Sequence, residues 1–181
     1  MTSPLINREA YEKLFHSQIE KLRRMAYLFL HDGNAAEDAV QESFTRGLAH
    51  LHTFRGNSRP DVWLYSIALN VCRQMLRKAR SQEKLSEASH LERGRRSGPP
   101  ARGPLTSLMR RETASRLSIA LGHLTDLQQE VFVLRYVEEL SYEAIAPMVG
   151  VSPGAARGLA HRGKRTLRSK LPENVALPGD P

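Results

Sequence analysis

The chain has 181 residues, with 27 Lys and Arg against 19 Asp and Glu, a formal charge of +8. A 40% hydrophobic content suits two small helical domains better than one large core, and the basic surplus points to a polyanionic partner, most simply nucleic acid. The single cysteine, Cys72, excludes a disulfide framework. No apolar run approaches the ~18 residues of a membrane span, and Met1-Thr2-Ser3-Pro4 lacks the plan of a signal peptide, so the expectation is a soluble, cytoplasmic protein.

Three amphipathic helices are predicted in the first ~80 residues. The first runs from Arg8 to Leu30 behind Asn7 as N-cap. Tyr11, Leu14, Phe15, Leu22, Met25, Ala26 and Phe29 form its inner stripe. After a turn at 31–34, Asn34-Ala35-Ala36-Glu37 reads as a capping box. The helix it opens carries Ala36, Val40, Phe44, Leu48 and Leu51 inward. A polar loop, Phe54 to Arg59, precedes a third helix with Ser58 as N-cap, Pro60 early and Asp61 in the first turn; this helix is expected to end near Arg80. From Ser81 the composition turns polar, with six Gly and Pro between Gly94 and Pro104, and reads as a flexible linker.

The second half is helical again. A helix is predicted from Arg111 to about Gly122, with Leu117, Ala120 and Leu121 inside. Thr125-Asp126-Leu127-Gln128 is a capping box for the next, which carries Val131, Leu134 and Tyr136. Ser141 caps a short helix ended by Gly150, and Ser152-Pro153 opens the last, reaching about Leu171. The organisation is therefore all-α: domain 1–80, linker 81–110, domain 111–171 and flexible tail 172–181.

Ser141 to Leu171 has the plan of a helix-turn-helix. In its second helix Ala156, Ala160, Gly163, Leu167 and Leu171 fall at three- and four-residue steps. Arg157, His161, Lys164, Arg165 and Arg168 line the opposite face, and no Asp or Glu occurs from Val151 through Leu171. Such a helix suits a major groove ~12 Å wide, where Arg reads guanine and phosphates attract the remaining cations. The alternative is a merely solvated basic helix.

The segment Phe54 to Arg80 joins a glycine-bearing polar loop, Trp63 and Tyr65, and a polar helix face with Asn70, Arg73, Gln74, Arg77 and Lys78. Aromatic stacking, cations along the backbone and amides on base edges are what single-stranded DNA binding requires. Trp63 and Tyr65 can equally be core aromatics, with Trp63 bracing the loop. Glu37 to Phe44 is an acidic stretch on a basic chain: either helix N-terminal acids complementing the dipole or a docking face for a basic protein. The seven histidines show no metal spacing, and there is no phosphate loop or serine elbow; no enzyme activity, cofactor or metal is expected.

These residues together resemble a bacterial extracytoplasmic-function (group four) sigma factor. Asp32 to Phe44 is similar to the family's second-region helix. Phe54-Arg55-Gly56 followed by Trp63 to Asn70 resembles its promoter-melting segment. Leu124 to Glu130, then Leu140 to Ala146, resemble its fourth region. The resemblance implies sigma domain two, a bundle of three to four helices, and domain four, a helix-turn-helix bundle. It implies that Asp38, Gln41, Glu42 and Phe44 meet the clamp helices of the largest subunit of core RNA polymerase. It implies that Phe54, Arg55, Gly56, Asn57, Ser58, Arg59, Trp63, Tyr65, Asn70, Arg73, Gln74 and Arg77 serve the single-stranded minus-ten element. The minus-thirty-five major groove would fall to Tyr142, Ser152, Pro153, Gly154, Ala155, Arg157, Gly158, His161, Arg162 and Arg165. The polymerase flap tip would bind domain four, an anti-sigma factor would regulate a chain that is otherwise a monomer, and free protein would bind promoter DNA poorly. Pro147, Leu159-Ala160, Gly158 and Gly163 depart from the family pattern, and the linker is basic where the family's tends to be acidic. Two other readings stand beside this one. One is a stand-alone dimeric helix-turn-helix regulator, which leaves the first ~80 residues unexplained. The other is a sigma-like decoy that binds polymerase or an anti-sigma partner without opening DNA.

Overall fold

The computed structural model describes residues 6–87, 115–171 and 177. It divides into two compact units, residues 1–100 and 101–181. The described residues contain helices and turns and no strand.

In the first unit α1 (Arg8–Leu30), α2 (Gly33–Ala49) and α3 (Pro60–Glu87) pack against one another, with a 3-10 turn at Leu51–Thr53. Asn7 caps α1 as its sequence predicts, its side chain accepting from the Ala10 N–H at 2.8 Å. Ile6 and Tyr11, both buried, stand at the two positions of a hydrophobic staple around that cap. The start of α2 differs from expectation. Asp32, not Asn34, is the N-cap, accepting from the Ala35 N–H at 2.9 Å, and Asn34 is exposed inside the first turn. The shift follows from His31, which closes α1 at φ 55 and leaves only Asp32 between the helices. The start of α3 also moves by one. The first i to i−4 bond runs from the Trp63 N–H to the Arg59 carbonyl, so Arg59 rather than Ser58 precedes Pro60 at the helix start. α3 continues to Glu87, past the Arg80 expected, because Ser81 to Glu87 contains neither Gly nor Pro. The glycine-rich remainder of the expected linker lies outside the described residues.

The core of this unit is an aromatic chain. The Tyr11 ring stacks on Phe44 (5.6 Å between centroids), Phe44 meets Phe15 edge-on (4.9 Å), and Trp63 bridges Tyr11 (6.2 Å) and Phe54 (5.4 Å). The Tyr11 hydroxyl donates to the Phe44 carbonyl at 2.9 Å. Burial pushes its phenol well above the usual value, so it stays a donor at every working pH. The guanidinium of Arg23, almost fully buried, is paired with Glu20 and lies 2.7 Å from Glu37 on α2. That second contact is an ion pair without hydrogen-bond alignment. Burial opposes the charge, but the two carboxylates outweigh it and hold the group cationic.

In the second unit, residues 115–121 (α4) are helical, with Ala120 and Leu121 buried and Leu117 half-buried; 111–114 lie outside the described residues. α5 (Asp126–Phe132) opens on the Thr125 capping box, with both reciprocal bonds present. A π-helical turn at Val133–Val137 follows, which the sequence pattern did not foretell. It closes with the Glu138 N–H on the Val133 carbonyl. α6 (Tyr142–Val149) is capped by Ser141 and ended by Gly150 at φ 73, and α7 (Pro153–Lys170) is capped by Ser152. α5, α6 and α7 pack together around Val131, Phe132, Leu134, Ile145, Ala156, Ala160 and Leu167. Leu177, beyond α7, is buried; at that point the tail expected to be free is packed.

Glu139, between the π turn and α6, sits at φ 57 and is exposed. A side chain in the left-handed region costs about 1 kcal/mol or more, and glycine escapes that cost while losing more entropy on folding. Glu139→Gly is therefore expected to raise the stability of the second unit by about 0.5 kcal/mol, read by urea denaturation.

Candidate nucleic-acid interface

The last two helices separate their faces sharply. Along α7, Ala156, Ala160, Gly163 and Leu167 are buried, while Arg157, His161, Arg162, Arg165 and Arg168 are exposed. Small residues on the inner face let α7 lie close on α5 and α6, and the outer face carries four exposed arginines and no acidic residue. Its N-terminal turn, Ser152, Pro153, Gly154 and Ala155, is exposed as well, so side chains and backbone there are open to a ligand. Gly158 is half-buried beneath the Arg162 side chain.

Arg135, not singled out from the sequence, and Tyr136, read there beside Val131 and Leu134, join this surface from the π turn. The Arg135 guanidinium lies 4.9 Å from the Tyr142 ring centroid and donates to the Leu140 carbonyl at 3.0 Å. Arg157 reaches the same ring at 5.3 Å, and the Lys164 ammonium lies 5.2 Å from the Tyr136 ring. Burial raises the Tyr136 phenol above its ordinary value, assisted by its hydrogen bond to Tyr142. Tyr142 thus carries two guanidinium groups and orders the cations around it.

In the first unit the loop 54–59 stands out from the bundle. Arg55, Gly56, Asn57, Ser58 and Arg59 are exposed, and Gly56 takes φ 70, a left-handed turn that a side chain would strain. Arg59 forms a two-bond fork with Asp61, 2.7 and 3.1 Å, fixing the end of the loop to the start of α3. Further along α3, Asn70, Gln74 and Arg77 are exposed and Arg73 is half-buried. Arg73 donates to the Asn70 side-chain Oδ1 at 3.3 Å.

Two aromatic residues leave the candidate set. Phe54 and Tyr65 are buried, and neither offers a ring face to a base. The Phe54 ring instead meets Trp63, 5.4 Å between centroids. Trp63 is half-buried against Phe54 and Tyr11 and braces the loop from beneath. Asp38, Gln41 and Glu42 form an exposed stripe on α2, but Phe44 is half-buried with its ring committed to Tyr11 and Phe15. One residue missed from the sequence connects these two faces. Arg46 on α2 reaches Glu42 at 2.6 Å and the Gln74 side-chain oxygen at 2.6 Å. A contact between residues 28 apart leaves no periodic signal in the sequence.

Among the described residues no helix is long and apolar enough to cross a membrane, and no group of three or more His, Cys, Asp and Glu could hold a metal.

Comparison with known proteins places both halves. Residues 14–82 match Sigma-70 region 2 and residues 114–167 match Sigma-70 region 4. The RNA polymerase sigma factor CarQ of Myxococcus xanthus is 32% identical over 91% of each chain. The ECF RNA polymerase sigma factor SigW of Bacillus subtilis is 27% identical over 91% of this chain and 90% of its own. The fold is that of the sigma factor RpoE solved with the anti-sigma factor NepR from Bartonella quintana, at a TM-score of 0.75 and 22% identity over 92% of this chain and 99% of that one. These matches account for the first 80 residues as well as the helix-turn-helix, and nothing in them supports a stand-alone regulator. The chain belongs to the extracytoplasmic-function branch of the sigma-70 family: a non-enzymatic initiation factor that binds core RNA polymerase and carries it to promoter DNA.

Proposed function

We propose that the two units divide promoter recognition by strand state. The first captures an unstacked base of the minus-ten element with the loop Arg55 to Arg59 and the α3 face carrying Asn70, Arg73, Gln74 and Arg77. The second lays α7, from its cap Ser152 to Arg165, in the major groove of the minus-thirty-five element. There Arg157, His161, Arg162 and Arg165 face bases and phosphates, with Tyr142, Ser152, Pro153, Gly154, Ala155 and Gly158 at the groove edge. Asp38, Gln41 and Glu42 dock on polymerase, with Phe44 supporting them from the core side. The observation that carries this reading is the division of α7: every buried position is small or aliphatic, and the exposed Arg157, Arg162, Arg165 and Arg168 lie on the other side.

The energetics favour this division of labour. Reading a duplex needs donors in an intact groove. Opening it costs a few kcal/mol per unstacked step, offset by loop contacts to the extruded base. Each contact set alone is weak, and polymerase makes them add by fixing both units on one template. The protein acts where polymerase and promoter meet, in the cytoplasm. An anti-sigma factor that covers these surfaces is its regulator, a partner supported by the structural likeness to the sigma factor RpoE, which was solved with the anti-sigma factor NepR.

Full-length protein added to core polymerase starts transcription at a defined promoter, and permanganate marks unpaired thymines around the start. Polymerase binding without strand opening would leave the decoy reading standing instead. Asn70→Ala is expected to reduce open-complex formation several-fold while leaving binding to the closed duplex unchanged, measured by permanganate reactivity beside gel shift. Equal loss of both would remove Asn70 from base capture.

A further inference from the structure

The amide of Gln74 is held in one orientation by a residue of a different helix. Arg46 Nε lies 2.6 Å from Glu42 Oε1, one turn back on α2, and its guanidinium donates to Gln74 Oε1 at 2.6 Å. A guanidinium has donors and no acceptor, so only the carbonyl oxygen of Gln74 can face it. The amide orientation is fixed by this chemistry. Among the described residues no partner takes the hydrogens of Gln74 Nε2, and the side chain is exposed on the face of α3 that carries Asn70 and Arg77.

We infer that Arg46 is a specificity-determining positioning residue: by taking one lone pair of the Gln74 oxygen and fixing the amide plane, it biases Gln74 toward donating to the minus-ten strand. The inference rests on Gln74 meeting a base, as proposed above. A free glutamine amide pairs with adenine through one donor and one acceptor, and this is its usual bidentate contact. With one of the two lone pairs of its oxygen taken by Arg46 and the amide plane fixed, Gln74 keeps two free N–H groups but is a weaker, directionally restricted acceptor for the adenine amino group. It then favours an edge with two adjacent acceptors, guanine O6 and N7 or cytosine N3 and O2, over adenine. Glu42 contributes by fixing the plane of the guanidinium, so the chain Glu42, Arg46, Gln74 ties the polymerase-facing helix to the base-reading one.

The test uses the full chain assembled with core polymerase and a promoter library randomised across the minus-ten element, with bound templates sequenced. Wild type is expected to select guanine or cytosine at one position, and Gln74→Ala to flatten the preference there. Arg46→Met frees the Gln74 oxygen and is expected to raise adenine recovery at that position by about threefold to tenfold, the worth of one hydrogen bond. Arg46→Lys keeps a donor on the oxygen and is expected to retain the wild-type profile. That rescue separates positioning from a purely structural role, and matched thermal melts confirm folding of each variant. If Gln74→Ala flattens the profile while Arg46→Met leaves it unchanged, the role of Arg46 is overturned. If Gln74→Ala itself changes no position, the contact of Gln74 with a base fails, and with it the inference.

Discussion

Gly47→Ala is expected to destabilise the first unit by about 2 kcal/mol, although alanine is the better helix former. Helix propensity alone would credit the substitution with up to about 1 kcal/mol in a helix interior. Gly47, however, is buried where α2 crosses Tyr11 of α1. A β-carbon there would stand 2.1 Å from the Tyr11 hydroxyl oxygen, 2.7 Å from Cζ and 2.9 Å from Cε2. The ring cannot step aside, because it is fully buried, stacked on Phe44, and anchored by its hydroxyl on the Phe44 carbonyl. Overpacking of this kind costs about 1–3 kcal/mol or more and exceeds the propensity gain. The measurement is thermal unfolding by circular dichroism, with a Tm drop of roughly 10 °C in the transition of this unit. In a Tyr11→Phe background the penalty is expected to shrink but persist, since Cζ and Cε2 remain in place. An unchanged or raised Tm would mean that α1 and α2 do not meet this closely.

Arg157→Ala is expected to weaken binding of the holoenzyme to duplexes carrying the minus-thirty-five element by about 1–3 kcal/mol. Arg157 is exposed in the second turn of α7, with its guanidinium 5.3 Å from the Tyr142 ring. The ring restrains an otherwise mobile side chain, so less entropy is lost when it meets DNA. Competition between promoter and scrambled duplexes, repeated across a salt series, resolves its role. Loss of sequence preference at one position marks a base contact. A uniform weakening, with the salt slope reduced by about one, marks a phosphate contact. No change in either takes Arg157 out of the interface.

Both predictions involve positions whose chemistry is legible from the chain, but legible to different depths. The cationic face of α7 could be read directly, because its residues recur at helical spacing and both ends of the helix are marked by a cap and a proline. The significance of Gly47 could not. Nothing local distinguishes a glycine that merely weakens a helix from one that makes room for a tyrosine 36 positions earlier. Phe54 and Tyr65 carry the same lesson. Phe54 lies between exposed residues and Tyr65 in a helix that also carries the exposed Asn70 and Gln74, and only packing within the unit buried their rings. The alternative left open for Tyr65, a core aromatic, is the one its burial supports.

What the amino-acid sequence decided by itself were the interactions closed within four or five residues. Asn7, Thr125, Ser141 and Ser152 cap helices, and Gly150 ends one, because each satisfies backbone groups of its own turn. The apolar periods then determine that the helices are amphipathic, and hence that they bundle. Tertiary structure alone decided the rest: the aromatic chain through Tyr11, the buried Arg23 between Glu20 and Glu37, the π turn that brings Arg135 to Tyr142, and the link from Arg46 to Gln74. Apart from the π turn, these depend on which helix faces which, a matter of contacts between residues distant in the chain. Their distances and burial are set by packing the whole unit at once, and no window of neighbouring residues contains that information.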